Sequence, residues 1–133
     1  MEHKRIALIG DVGGTNIRLE LRNVDLDFTD PLGKIKFNNY KVADYDVFQK
    51  ALEDFLADLA PENYPSVAAI GIAGPISNNT VFMANAEKWG VLDGKKLGEN
   101  LKIKDFVFAN DFEAASYGVL TVASDQFVSI NGL

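Results

Sequence analysis

The stretch IALIGDVGGTNIRLELR, residues 6–22, decides the fold. Ile6 to Ile9 form an unbroken apolar run, the pattern of a strand buried on both faces. Beyond Gly13 and Gly14 the pattern changes. Ile17, Leu19 and Leu21 alternate with Asn16, Arg18, Glu20 and Arg22, which predicts a half-buried strand with one wet face. The glycine loop therefore joins two strands as a hairpin.

Working outward, Ile35 and Phe37 lie between Lys34, Lys36 and Asn38 and predict a third strand after the turn-rich DFTDPLG. From Asp44 the period lengthens. Val47, Phe48, Ala51, Leu52, Phe55, Leu56 and Leu59 fall at helical spacing, closed by Pro61. Two more apolar runs follow, VAAIGIAG from Val67 and FVFAN from Phe106, separated by the charged DGKKLGENLKIKD, which reads as a solvated helix face or loop. The order strand, helix, strand, helix, strand implies crossovers and a parallel sheet. Strands one to three should be antiparallel, and strands one, four and five parallel. The terminal VSINGL reads as the start of a further strand.

In such a sheet ligands bind beyond the carboxyl ends of the strands. Those ends carry Asp11 to Asn16, Gly74 to Asn79, and Asn110-Asp111. The first does not match the P-loop or the dinucleotide glycine pattern. Taken alone, Gly13-Gly14 is a tight turn needing positive φ. As a phosphate cradle, it would offer uncovered N–H groups, donors from Thr15 and Asn16, and Asp11 for a hydrated magnesium. Asp111 opens the helical DFEAASYGVL. It is equally an N-cap, with Asn110 a turn residue, or a carboxylate that takes a substrate proton beside a hydrogen-bonding amide.

Composition excludes several classes. A chain of 133 residues, 47% hydrophobic, holds one ordinary core. Thirteen Lys and Arg against nineteen Asp and Glu leave no basic face for nucleic acid or an anionic membrane. With no cysteine and a single histidine, His3 at the start of the chain, thiolate metal sites and histidine triads are excluded. The apolar part of MEHKRIALIG is too short for an export signal, so the expected location is cytoplasmic.

Three motifs in order, GDVGGTNIRLEL (Gly10–Leu21), GIAGPI (Gly71–Ile76) and FANDFEAASYG (Phe108–Gly118), resemble the bacterial-type glucokinase family of the sugar-kinase, heat-shock-70 and actin superfamily. The resemblance implies an α/β, ribonuclease-H-like (actin-like ATPase) lobe with a mixed five-stranded sheet and flanking helices. It implies that Asp11, Gly13, Gly14, Thr15 and Asn16 face ATP, with Asp11 on Mg2+ through water. Asn110, Asp111, Gly74 and Pro75 would bind glucose, and Asp111 would be the catalytic base. The Glu-x-x-His and second phosphate loop of the family's larger lobe do not occur in residues 1–133. The chain therefore resembles the N-terminal small lobe, whose partners would be glucose, ATP and its own C-terminal lobe, with a homodimer as a further expectation. Alone it is expected to be inactive. In the family two residues separate an Asn from the following Trp, whereas three separate Asn85 from Trp89, so Asn85 is not carried over as a sugar contact. The alternatives are a kinase for another hexose and a non-enzymatic sugar sensor of the same fold.

Overall fold

The computed structural model describes residues 5–27 and 29–123, with side chains through Val119. His3 and the VSINGL segment lie outside the described residues. In chain order the elements are β1 (Ile6–Val12), β2 (Asn16–Asn23), β3 (Lys34–Lys41), α1 (Phe48–Leu56), β4 (Val67–Ile72), β5 (Ile76–Ser77), β6 (Thr80–Phe82), β7 (Val91–Asp93), α2 (Gly94–Leu101), β8 (Asp105–Ala109) and α3 (Phe112–Ala123).

The main sheet has the order β3-β2-β1-β4-β8. β1 pairs antiparallel with β2, and β2 with β3, while β1, β4 and β8 run parallel, as the sequence pattern predicts. The apolar run of β1 serves both faces. Ile6 and Leu8 face one side with Leu19, Leu21, Phe48, Leu52, Phe55, Leu97 and Leu101, so α1 and α2 cover that face. Ala7 and Ile9 face the other with Val67, Ala69, Ala115 and Val119, beneath α3. Covered on both sides, residues 6–9 have no position for a polar residue, and the first one, Asp11, comes where the strand reaches the sheet edge.

The predicted helix is shorter than its apolar pattern. Val42–Asp44 form a single 3-10 turn, and Val47 is extended (φ −135°, ψ 128°) at the N-cap position of α1. The intervening Tyr45 is held by other partners, its hydroxyl donating to Asp54 at 2.8 Å and its carbonyl accepting from Trp89 Nε1 at 2.8 Å. The polar face of β2 is not wet throughout. Arg18 is exposed, but Glu20 and Arg22 are buried and paired, Nη1 to Oε2 2.8 Å.

One feature escapes the sequence pattern. Residues 76–93 hold a small antiparallel sheet of order β5-β6-β7. Its first hairpin turns on Asn78 and Asn79, both left-handed (φ 53° and 59°), as a two-residue type I′ turn requires. The charged run opening at Asp93 is α2, capped by the Asp93 carboxylate, which accepts from the N–H groups of Lys95 (3.0 Å) and Lys96 (3.3 Å). Its face is only partly solvated, because Leu97, Gly98 and Leu101 are buried.

Candidate active site

The parallel registers bring the predicted segments to one edge. Asp11 lies opposite Gly71 on β4, and Gly71 lies opposite Ala109 on β8. Asn110 and Asp111 follow Ala109 directly. With strands about 4.8 Å apart, two spacings put Asp11 about 10 Å from the start of the Asn110-Asp111 pair. Gly74 and Pro75, both exposed, lie just past the end of β4 on the same edge.

The glycine loop is the expected tight hairpin turn, but without the positive φ expected of its glycines. Gly74 and Gly90 are the glycines with positive φ among the described residues, so neither Gly13 nor Gly14 needs left-handed backbone. Gly13 donates its N–H to the Asn16 carbonyl at 3.0 Å and closes the turn. That bond withdraws one of the expected cradle donors, and the N–H groups of Gly14 and Thr15 remain as candidates. A Cβ at Gly13 would meet nothing within 4 Å, whereas one at Gly14 would stand 2.7 Å from Asn85 Nδ2. Glycine at 14 thus answers a close approach. The Asn16 side chain is engaged, with Oδ1 accepting from Lys41 Nζ at 3.1 Å. The Thr15 carbonyl accepts from Val42 N–H at 2.9 Å, which ties the loop to the chain after β3.

Asp11 is partly exposed, and the guanidinium of Arg18, its cross-strand partner, stands 3.5 Å from Oδ2. An exposed pair of this length contributes at most about 1 kcal/mol, so a ligand can displace it. No group of three or more His, Cys, Asp or Glu side chains converges among the described residues. A lone carboxylate does not build a closed metal cage, but it fits a Mg2+ that keeps most of its waters and shares phosphate oxygens.

Asp111 caps α3. Its Oδ1 accepts from Ala114 N–H at 2.8 Å, and its carbonyl accepts from Ala115 N–H at 3.0 Å. Asn110 and Asp111 are both exposed. Gly71 seats this corner. A Cβ there would lie 2.6 Å from the Asp111 carbonyl oxygen and from Phe112 N, and closer still to the Asp111 carbonyl carbon. The first glycine of GIAGPI, Gly71, is needed because the Asp111–Phe112 peptide packs directly on β4.

Sequence reasoning missed three participants. Arg18 was legible from hairpin register, since a turn closed between Gly13 and Asn16 places residue 18 opposite residue 11. Gly71 and the approach of Asn85 to Gly14 carry no local signal, because both follow from tertiary packing. Among the described residues no helix is long and apolar enough to cross a membrane.

Comparison with known proteins identifies the family. The sequence profile of the family described as Glucokinase matches residues 8–133. A glucokinase from Psychromonas ingrahamii is 33% identical over 132 residues, covering 97% of this chain and 37% of its own length. One from Nostoc sp. is 30% identical over 125 residues, covering 94% of this chain and 35% of its own. Among solved structures, a glucokinase from an Antarctic psychrotroph superposes with a TM-score of 0.68 at 26% identity, over 85% of this chain and 34% of that one. A glucokinase from Balamuthia mandrillaris in complex with glucose gives 0.51 at 25% identity, over 93% and 34%. The chain thus spans about 35% of the length of the curated relatives it matches. The chain has the sugar-kinase, actin-like ATPase fold of these neighbours. With the profile matched over residues 8–133, nearly the whole chain, the chain belongs to the glucokinase family.

Proposed function

We propose that this chain is the N-terminal lobe of an ATP-dependent kinase that phosphorylates glucose at its 6-hydroxyl. The observation that carries the reading is the shared edge: Asp11 on β1 beside Gly71 on β4, and Gly71 beneath Asp111, just past the end of the parallel strand β8. Phosphoryl transfer asks mainly for alignment and charge neutralisation. The N–H groups of Gly14 and Thr15 meet phosphate oxygens, with the Asn16 side chain, drawn from Lys41, at the rim. Asp11 would hold a hydrated Mg2+, which would supply positive charge at the phosphates. Asn110 and the backbone at Gly74-Pro75 orient the sugar. Asp111 accepts the 6-hydroxyl proton. Capping and proton transfer are compatible, because a carboxylate that caps through Oδ1 retains Oδ2 as an acceptor.

A second lobe completes the site by gripping the rest of the hexose and the adenosine, and its closure excludes water. The setting is cytoplasmic, where ATP is available. The test is ADP release by the full-length protein against glucose, mannose, fructose and N-acetylglucosamine. Glucose should give the highest kcat/KM, and the 133-residue chain alone should give none. Preference for another hexose would reassign the substrate, and absence of turnover with every sugar would favour a sensor. The mass of the full-length protein in solution, with and without glucose, reads the expected homodimer.

A further inference from the structure

We infer that Asn79 is a positioning residue, an amide strut that fixes β8 and through it the sugar-facing Asn110-Asp111 pair. This rests on the proposed role of that pair. β8 is an edge strand of the main sheet among the described residues, paired on one side with β4. On its outer side lies an open cleft of about 540 Å3 rather than a further strand. From the tip of the β5–β6 hairpin the Asn79 side chain reaches that edge. Nδ2 donates to the Phe106 carbonyl at 2.7 Å, and Oδ1 accepts from Phe108 N–H at 2.8 Å. The carbonyl of one residue and the N–H two residues on are the groups a neighbouring strand would bond, so one side-chain amide stands in for a strand.

Three local features serve this placement. The left-handed backbone at Asn79 (φ 59°) aims the amide at β8. The Asn79 carbonyl accepts from Gly94 N–H at 2.9 Å, anchoring the hairpin to the start of α2. Gly94 must lack a side chain, since a Cβ there would lie 2.8 Å from Asn79 Cγ and closer to Nδ2. Phe108 is two residues from Asn110. A strand pinned on one side only can pivot on its ladder, and a misplacement of about 1 Å at a reacting group can cost about 10²-fold in rate.

Asn79→Gly is the informative variant because glycine accepts the left-handed turn and deletes only the amide. Asn78→Gly, at the other turn position (φ 53°), controls for effects on the hairpin itself. The full-length variants are followed by hydrogen exchange over residues 105–112 and by steady-state kinetics. For Asn79→Gly we expect Phe108 N–H exchange at least tenfold faster and kcat/KM for glucose lowered at least tenfold, with KM for ATP within twofold of the parent. Asn78→Gly should match the parent. Faster exchange with unchanged glucose kinetics in a parent active on glucose overturns the positioning role while leaving the kinase reading intact. Unchanged exchange at Phe108 overturns the strut itself. If the parent phosphorylates no sugar, the kinase reading fails instead, and the strut is judged on exchange at Phe108 to Asp111 alone.

Discussion

Replacing Gly71 with alanine adds one methyl group where the Asp111–Phe112 backbone rests on β4. The new Cβ would stand 2.6 Å from the Asp111 carbonyl oxygen and from Phe112 N, against an ordinary contact of 3.4 Å. The shortfall is about 0.8 Å, and the atoms in the way are backbone, which cannot swing aside as a side-chain tip would. β4 is locked between β1 and β8, so the Asp111–Phe112 peptide is what moves. Overpacking of this kind costs typically about 1–3 kcal/mol of stability. A shift approaching 1 Å at a proton-accepting group should lower kcat by about 10²-fold. The assay is glucose-dependent ADP release by full-length Gly71→Ala, at a temperature where circular dichroism shows the variant folded. Near-normal kcat in the folded variant would refute the claim that Gly71 seats Asp111.

The two loop glycines separate shape from chemistry. Gly13→Ala and Gly14→Ala should both keep the parent fold, since one Cβ meets open space and the other only the movable end of Asn85, yet both should raise KM for ATP severalfold if phosphate approaches this backbone. The buried Glu20–Arg22 pair makes Glu20→Ala costly by about 3 kcal/mol in denaturant unfolding, while Glu20→Leu with Arg22→Met should cost clearly less. For Tyr45, burial first and the hydrogen bond to Asp54 second push the phenol up to about 12. A raised value means stability that is full below the ordinary tyrosine range near 10 and lost as pH rises toward about 12. Ultraviolet titration should therefore show a late phenolate step that Tyr45→Phe removes. The partner carboxyl of Asp54 is lowered, chiefly by the same hydrogen bond, so its contribution disappears at the acid end, as pH falls below the usual carboxylate range.

The main sheet was legible because its strands are either doubly buried, like β1 and β4, or alternate cleanly at Ile17, Leu19 and Leu21. Period alone could not place the start of α1, since Val47 fits the helical spacing yet its backbone is extended. The small sheet stayed hidden because β5 to β7 are two or three residues long, too short for alternation to register, although paired asparagines are a hairpin signal. Burial of Glu20 and Arg22 was invisible because charged residues on a strand ordinarily mark its wet face, and here each is buried with the other. At the site, the segments were legible from topology, since parallel strands end on a common edge. Their packing was not. Gly14 against Asn85, Gly71 against Asp111 and Asn79 against β8 each join residues 27 or more apart, for which a single sequence offers no local signature.

The central claim, that Asp111 is more than a helix cap, is tested most directly by kcat of the full-length Asp111→Asn variant measured beside its melting temperature. Asparagine caps about as well as aspartate, so the melt should stay within a few degrees of the parent. It cannot accept the sugar proton, so kcat should fall by about 10²-fold or more, with KM for glucose changing less. A near-normal kcat with an unchanged melt would contradict the account and leave Asp111 as the cap of α3.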